Sequence, residues 1–289
     1  MKNIKKLFGE IDLTWNKLII FAIIAGVYTA LIAIIPQLHY TSFNTITVSF
    51  EVWILFGIII IMNSKTAKDS AFKCFVFFLI SQPLVYLLQV PFSWQHWNLF
   101  SYYKYWFIWT ILCIPMGYIG YFIKKGKWWG YLILFPMILL TAFEYMTYLA
   151  YFTFSYPKYL LICIFCIGTM IIYPLYLFEK KNIKIIGVII SSLLIIVISI
   201  YGFINPYHYK TQIMANGEKY KFDDTYKVYL EDNKYGKAEI IYLNNIEDYI
   251  IKVDFVKEGK TKIILEDATG NKKIYNLDIK RDTYKISEE

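Results

Sequence analysis

The sequence predicts a protein of two parts: a membrane all-α bundle of seven transmembrane helices over residues 1–204, and a small all-β sandwich over residues 205–289. Three observations carry this prediction. The chain is 57% hydrophobic and 20% aromatic but only 18% charged, whereas soluble proteins have about 25% charged residues. The first part holds 15 Lys and Arg against 6 Asp and Glu, and the second holds 15 against 16. After Ile204 the long apolar runs give way to an alternation of apolar and polar residues.

Seven segments are long enough to be membrane spans, because a helix needs about 20 apolar residues, and at least about 17, to cross a bilayer core about 30 Å thick. They are Leu18–Pro36, Ile46–Met62, Phe72–Val90, Tyr105–Ile123, Trp129–Tyr151, Tyr159–Phe178 and Ile183–Ile204. The first follows basic residues, as a signal peptide does. Its apolar run is too long for one, and no small-residue cleavage site follows it, so we interpret it as a span.

The lysines predict the direction of the bundle, since short loops rich in Lys or Arg stay in the cytoplasm. The N-terminus and alternate loops contain twelve lysines, and the intervening loops contain two, Lys104 and Lys158. The twelve are Lys2, Lys5, Lys6, Lys65, Lys68, Lys73, Lys124, Lys125, Lys127, Lys180, Lys181 and Lys184. We therefore expect a cytoplasmic N-terminus and an extracellular C-terminal part. The positive charge belongs to helix flanks, which argues against a nucleic-acid partner.

Short strands with turn residues between them predict the outer β-sandwich. Tyr249, Ile251, Val253 and Phe255 fall on one face of a predicted strand, and Ile250, Lys252 and Asp254 fall on the other, which is the pattern of a half-buried strand. Further strands are predicted at Lys227–Glu231, Ala238–Leu243, Thr261–Glu266 and Lys273–Ile279. This part contains no cysteine, so no disulfide holds it.

One hairpin in this part is similar to a known module. Gly259–Ile279, with Asp267 and Gly270-Asn271 at its turn, resembles the closing hairpin of bacterial immunoglobulin-like (Ig-like) domains. The resemblance implies an Ig-like fold and no particular ligand, because such modules act as spacers, adhesive units or binding platforms.

Several stretches of the membrane part resemble an uncharacterised family of multi-spanning proteins of low-GC Gram-positive bacteria. They are Gly9–Trp15, Asn63–Lys65, Lys73–Phe75, Ser81–Pro83 and Pro91–Trp94. The 29 lysines against the single Arg281 suit an AT-rich genome. This resemblance implies a bacterial plasma membrane and no mechanism.

Two carboxylates inside spans are the main candidates for function, because an acid within the membrane is costly. Glu51 cannot be moved out of its span without leaving too short a helix, and Glu144 lies about 22 Å along its span. One interpretation is a neutral structural acid, bonded to a hydroxyl such as Thr141, Tyr145 or Tyr148. The other is an outward-facing polar cavity that binds a cation or an amine-bearing solute.

Other residues extend these hypotheses. The candidate ligand-binding residues besides the two acids are Gln82, Gln89, Tyr148, His39 and His96. The candidate packing face, for another helix or a partner membrane protein, consists of Ala22, Gly26 and Ala30 at four-residue spacing. Prolines inside four spans interrupt backbone hydrogen bonds, as in some transporter sites and in many kinked helices; they are Pro83, Pro115, Pro136 and Pro174.

No cofactor or metal site is predicted. Cys163 and Cys166 form a CxxC pair, but inside an apolar span thiols are ordinarily small fillers. The sequence has no Walker loop, dinucleotide-binding glycine motif, GxSxG or HExxH.

Three functions remain open from the sequence. The first is a non-enzymatic transport or sensing protein that binds a small solute or ion and displays the Ig-like module; its first six spans resemble in topology the substrate-binding subunits of energy-coupling-factor transporters. The second is an intramembrane enzyme acting on a lipid-linked envelope substrate, with Glu51 or Glu144 as general base. The third is a membrane scaffold for the outer module.

Overall fold

A computed structural model describes residues 2–215 and 221–288 of the chain. The chain forms two compact units. One comprises Met1–Thr147 and Leu160–Ser199, and the other comprises Tyr148–Tyr159 and Ile200–Glu289. The predicted boundary at residue 204 therefore lies close to one of the observed divisions, but the β-containing unit also includes the ends of two helices.

Nine α-helices form the helical part of the described chain. They are α1 (Lys2–Leu7), α2 (Trp15–Ile34), α3 (Ser42–Val48), α4 (Phe50–Met62), α5 (Ala67–Gln89), α6 (Tyr103–Gly120), α7 (Trp129–Phe154), α8 (Leu160–Leu177) and α9 (Lys181–Ile204). Six of these, α2 and α5–α9, are long and apolar enough to cross a membrane. Helices α3 and α4 meet the same criteria as a pair, with a bend of 48° between them. The predicted span at Ile46–Met62 is therefore a broken helix.

Hydrogen-bonding residues set the starts of two helices earlier than the sequence predicts. The Thr66 hydroxyl accepts a hydrogen bond from the Asp69 amide at 3.1 Å, so that α5 begins at Ala67 rather than Phe72. The Thr14 hydroxyl accepts one from the Lys17 amide at 3.4 Å and caps α2. Side-chain caps of this kind satisfy amides that have no partner within the helix.

The lysine count wrongly places Lys73 in a loop, although the predicted span Phe72–Val90 already includes it. It lies inside α5, is 3% exposed, and forms an ion pair with Asp69 at 2.8 Å. Its ammonium also donates to the Leu13 carbonyl at 2.7 Å. These partners allow the charge to be buried, which a loop assignment from charge alone did not anticipate. Without Lys73 the predicted lysine asymmetry is eleven against two.

Helix α5 packs between α2 and α6 at glycine contacts. A Cβ atom on Gly26 of α2 would lie 2.7 Å from the Ser81 carbonyl oxygen, and one on Gly117 of α6 would lie 3.0 Å from the Ser70 carbonyl oxygen. The Ser70 hydroxyl also donates to the Gly117 carbonyl at 2.8 Å. Small residues thus let these backbones approach closely, as is common between membrane helices.

Seven antiparallel strands form the β-domain of the second unit. They are β1 (Tyr209–Ala215), β2 (Lys227–Leu230), β3 (Gly236–Leu243), β4 (Asp248–Phe255), β5 (Gly259–Glu266), β6 (Lys272–Ile279) and β7 (Tyr284–Glu288). One sheet has the order β1-β4-β3 and the other β2-β5-β6-β7. The five predicted strands are present as β2–β6, and β1 and β7 are additional.

The β-domain core is the apolar face that the alternation in β4 predicts. Ile251, Val253 and Phe255 are at most 1% exposed, and they pack with Ile263 and Leu277 of the other sheet. The sheets therefore enclose one core between them, and the polar residues of each strand lie on the outside.

Within the second unit, contacts centred on Arg281, the one arginine of the sequence, join the end of α7 to the β-domain. The Arg281 guanidinium lies 4.1 Å from the centre of the Tyr151 ring and donates to the Tyr159 hydroxyl at 2.9 Å. The Tyr207 hydroxyl donates to Asp282 at 2.8 Å, and Lys158 pairs with Glu258. Stacked and charge-assisted contacts of this kind are the stronger surface interactions, so they fix residues 148–159 to the strands.

Asp267 organises the turn between β5 and β6. Its carboxylate accepts hydrogen bonds from the Thr269 hydroxyl at 2.6 Å, from the Thr269 amide at 2.8 Å and from the Asn271 amide at 2.9 Å. These bonds, the Thr269 hydroxyl first among them, favour the charged form and lower the pKa of Asp267 from 3.8 to about 2.

This shift predicts an acid-labile turn. Because the folded pKa is below the unfolded one, the contribution of Asp267 is complete above pH 3.8 and is lost as the pH falls toward about 2. Cleavage of the β5–β6 turn by pepsin, expressed as the ratio of the wild-type rate to the Asp267→Asn rate at the same pH, should rise as the pH falls through this window, because only the wild type loses the Asp267 charge and the ratio cancels the pH dependence of pepsin itself. Equal acceleration in both proteins would contradict the assignment.

Candidate functional site

Glu51 is a buried acid at the start of α4. The bend between α3 and α4 lies at Ser49, so Glu51 falls in the first turn of the second helix. Its side chain is 0% exposed, and among the described residues neither carboxylate oxygen makes a hydrogen bond of ordinary geometry, although the Ser49 hydroxyl and the Glu51 amide lie beside them. The free amides and positive dipole end of a helix start favour a carboxylate, whereas desolvation disfavours its charge.

A cavity of about 260 Å³ lies among α4, α5, α6 and α7. Five of its lining residues are aromatic: Phe50, Trp53, Phe78, Trp106 and Trp109. The Phe50 ring stacks on Trp106 with centroids 5.0 Å apart and meets Trp109 edge-on at 5.6 Å. The other lining residues are apolar or small except for one, Glu144.

Glu144 of α7 is the one side chain with a formal charge among the lining residues that the structure describes. It is partly buried. Glu51 lies near enough to act on it electrostatically. Glu51 is not itself a lining residue, but it lies seven residues before Ile58 on the helix face that borders the cavity. The structure therefore brings the two predicted acids into one region.

Two residues of α8 complete the surroundings of Glu51. Glu51 acts electrostatically on Cys166 and Tyr173, which are both 0% exposed. The Tyr173 hydroxyl has no hydrogen-bond partner in the described chain. Sequence reasoning missed Tyr173, because nothing in the order of residues shows that α8 lies beside α4.

The remaining predicted binding residues do not line the cavity. Gln89 donates to the Val85 carbonyl at 2.8 Å, and the His39 ring contacts the Ala33 carbonyl at 2.9 Å. His96 is exposed, with a positive φ of 46°. Gln82 is 2% exposed, and its amide nitrogen has no partner within the described ranges.

Two of the three hydroxyls predicted as partners for Glu144, those of Thr141 and Tyr145, are engaged elsewhere. The Thr141 hydroxyl donates to the Met137 carbonyl at 3.1 Å, and the Tyr145 hydroxyl lies 2.8 Å from that of Ser199. Tyr148 belongs to the second unit, where its ring lies 6.4 Å from that of Tyr151.

The small-residue face of α2 is buried inside the first unit. Ala22 and Ala30 are 0% exposed, and Gly26 contacts α5 as described above. In the structure, this face of α2 therefore packs against α5 of the same chain.

The aromatic lining was not predicted as a site. From the sequence alone, a tryptophan near the end of a predicted span, such as Trp106, is expected to anchor the helix at the membrane interface. A signal was present, since Trp106 and Trp109 are three residues apart on α6 and Phe50 and Trp53 have the same spacing on α4. That spacing shows which residues share a helix face, but it does not predict which helices contact each other.

The thiols and histidines form no metal centre in the described part of the chain. Cys163 and Cys166 are buried in α8. Within residues 2–215 and 221–288, no three His, Cys, Asp or Glu side chains are grouped so that they could hold a metal ion.

The fold and site thus define a class: a helical protein with several membrane-length apolar helices, an antiparallel β-domain and an aromatic cavity with an acid. No family model, no curated protein and no solved structure matches this chain.

Proposed function

We propose that this chain is a non-enzymatic, multi-pass plasma-membrane protein that binds an amine-bearing, largely apolar molecule, in a transport or sensing role. The observation that carries the proposal is the cavity of about 260 Å³, which is lined by five aromatic residues and by Glu144.

The lining favours an organic cation over an inorganic one. A metal ion needs several oxygen or nitrogen ligands, and the cavity offers the carboxylate of Glu144 among apolar groups. An ammonium group, in contrast, is attracted both by a carboxylate and by the faces of Trp and Phe rings. Ligand pockets are generally apolar with a few polar groups that fix orientation. An alkyl or aryl amine therefore fits the chemistry of these residues.

The exposed lining residues indicate how such a molecule enters. Trp109, Met116 and Leu140 are 42%, 40% and 45% exposed. They lie within the apolar helices α6 and α7, so their exposed surfaces face the bilayer if these helices span it. A ligand that partitions into lipid reaches the cavity from that side.

The proposed topology has seven spans, with the N-terminus in the cytoplasm and the β-domain outside. The broken pair α3–α4 serves as the second span. Interrupted helices at membrane depth are tolerated where they are buried in protein or line a cavity, and α4 lines one here. The uneven lysine distribution supports the orientation.

We also propose that the β-domain is Ig-like, and its strand order supports this assignment. In Ig domains, strand E pairs with B and D in one sheet, and strand F pairs with C and G in the other. If β1–β6 correspond to strands B–G, the observed orders β1-β4-β3 and β2-β5-β6 are B-E-D and C-F-G. Strand A has then no counterpart among the strands of residues 2–215 and 221–288, and β7 is an extra strand beside G.

A matched pair of probes tests the binding proposal. The full chain in lipid nanodiscs is titrated with a phenylalkyl-trimethylammonium ion and with its uncharged carbon isostere, and tryptophan fluorescence is recorded because three tryptophans line the cavity. We expect the cation to bind at least about tenfold more tightly, which corresponds to about 1.4 kcal/mol. Equal affinity for both probes, or no binding of either, would overturn the proposal.

A further inference from the structure

We propose that Glu51 is a proton-binding site and that its proton is exchanged against the cation in the neighbouring cavity. This inference rests on the proposed binding function and adds the ion to which binding is coupled. It follows from the burial of Glu51, from the groups around it and from its position beside Glu144.

Because Glu51 is buried, its ionised carboxylate is unstable without a bound proton or a nearby group that stabilises the charge. Its side chain is 0% exposed, and among the residues described neither carboxylate oxygen makes a hydrogen bond of ordinary geometry, with the Ser49 hydroxyl and the Glu51 amide as the polar groups beside them. A bare carboxylate in apolar surroundings is strongly disfavoured, and such groups bind a proton instead. The start of α4 works in the opposite direction, because the helix amides favour the charged form. Both the protonated and the ionised form are therefore accessible to this group.

The groups that face Glu51 include no neutralising cation. From its own helix pair Ser49 lies next to it, from α7 Glu144 acts on it, and from α8 Tyr173 and Cys166 are within electrostatic range. Within the described ranges, no lysine or arginine is among the groups that act on Glu51. The Tyr173 hydroxyl is buried and unpartnered, so it can accept a hydrogen bond from the acid or donate one to the carboxylate.

Because Glu51 lies near Glu144, binding of a proton to Glu51 and binding of the cation in the cavity oppose each other. A proton on Glu51 removes a negative charge near the Glu144 carboxylate, and the cation adds a positive charge at the same place. Entry of the cation therefore favours breaking of the Glu51 O–H bond: the electron pair stays on the carboxylate, and the proton leaves to solution. By linkage, protonation of Glu51 weakens cation binding by the same factor by which cation binding weakens proton binding.

The first test measures this coupling with the phenylalkyl-trimethylammonium probe and the full chain in nanodiscs. Between about pH 5 and about pH 9, the range in which glutamates in proteins ionise when buried, we expect affinity to rise at least about fivefold. Binding at neutral pH should release protons into a lightly buffered solution. In Glu51→Gln, affinity should be independent of pH and close to the wild-type value at acid pH, and proton release should be absent. Binding without pH dependence or proton release in the wild type would overturn the exchange and leave the proposed function standing.

The second test examines Glu51 without any ligand. Infrared difference spectra of the wild type and Glu51→Gln report the carbonyl band of a protonated carboxylic acid. We expect a band that belongs to Glu51 at acid pH and that disappears as the pH rises, whereas Glu179→Gln, which removes an exposed acid of the same unit, should leave it unchanged. A Glu51 that is ionised at every pH, or protonated at every pH, would overturn the inference. Absence of probe binding together with a titrating Glu51 would overturn the proposed cation site and the exchange with it, and would leave only proton binding by Glu51.

Discussion

Replacing Glu144 with glutamine is expected to weaken binding of the phenylalkyl-trimethylammonium probe by about ten- to hundredfold. The estimate corresponds to about 1.5–3 kcal/mol for an interaction with a charged group. Glutamine keeps the size of the side chain and removes its charge, so the aromatic lining remains. The uncharged isostere should therefore bind the variant about as well as it binds the wild type. Fluorescence titration in nanodiscs measures both affinities.

Glu179→Gln is the matched control for this prediction. It removes one carboxylate from the same unit at an exposed position that does not line the cavity. We expect its affinity for both probes to equal that of the wild type. If the two variants weaken cation binding equally, the effect is one of net charge, and Glu144 is not the site.

Gly236→Ala is expected to destabilise the β-domain by about 3 kcal/mol or more, because two costs combine. Gly236 has φ +143°, a region open essentially to glycine, and such strain costs about 1–3 kcal/mol in other residues. A Cβ atom would also lie 2.1 Å from the Asp254 carbonyl oxygen, on the strand paired with β3. Backbone cannot yield there without breaking the pairing of the two strands. Digestion by trypsin after brief exposure to increasing urea should show a lower unfolding midpoint, since the domain is rich in lysine.

Gly270→Ala separates these two costs. Gly270 also has a positive φ, +90°, but a Cβ atom there would meet nothing within 4 Å. We expect a loss of about 1–2 kcal/mol from the backbone conformation alone. If Gly270→Ala destabilises the domain as much as Gly236→Ala, steric overlap at Gly236 is not the main cost.

Local patterns in the sequence predicted most elements of the fold. The apolar runs located the long helices, because a membrane-length helix is defined by composition and length. The alternation around Val253 located β4, because the strand buries every second side chain. Strand β1 has a weaker pattern, interrupted by an irregularity between Gln212 and Met214 that shifts its register. The break at Ser49 was missed, since no proline or glycine marks it and residues 45–51 only alternate apolar side chains with Thr, Ser and Glu.

The candidate site was only half predictable. Glu51 and Glu144 stand out because charge is rare in apolar segments. The rings around Glu144 do not, because Phe50, Trp106 and Trp109 are ordinary residues of membrane helices until α4, α6 and α7 come together. Lys73 shows the same limit: its charge suggested a loop, and only its contacts with Asp69 and Leu13 explain its burial.

The β-domain is held by its apolar core and by strand pairing, and all four cysteines of the chain lie in the helical part. Its folding therefore requires no thiol oxidation and no disulfide isomerase. An environment that turns reducing leaves the domain intact, unlike the many small secreted domains that depend on crosslinks.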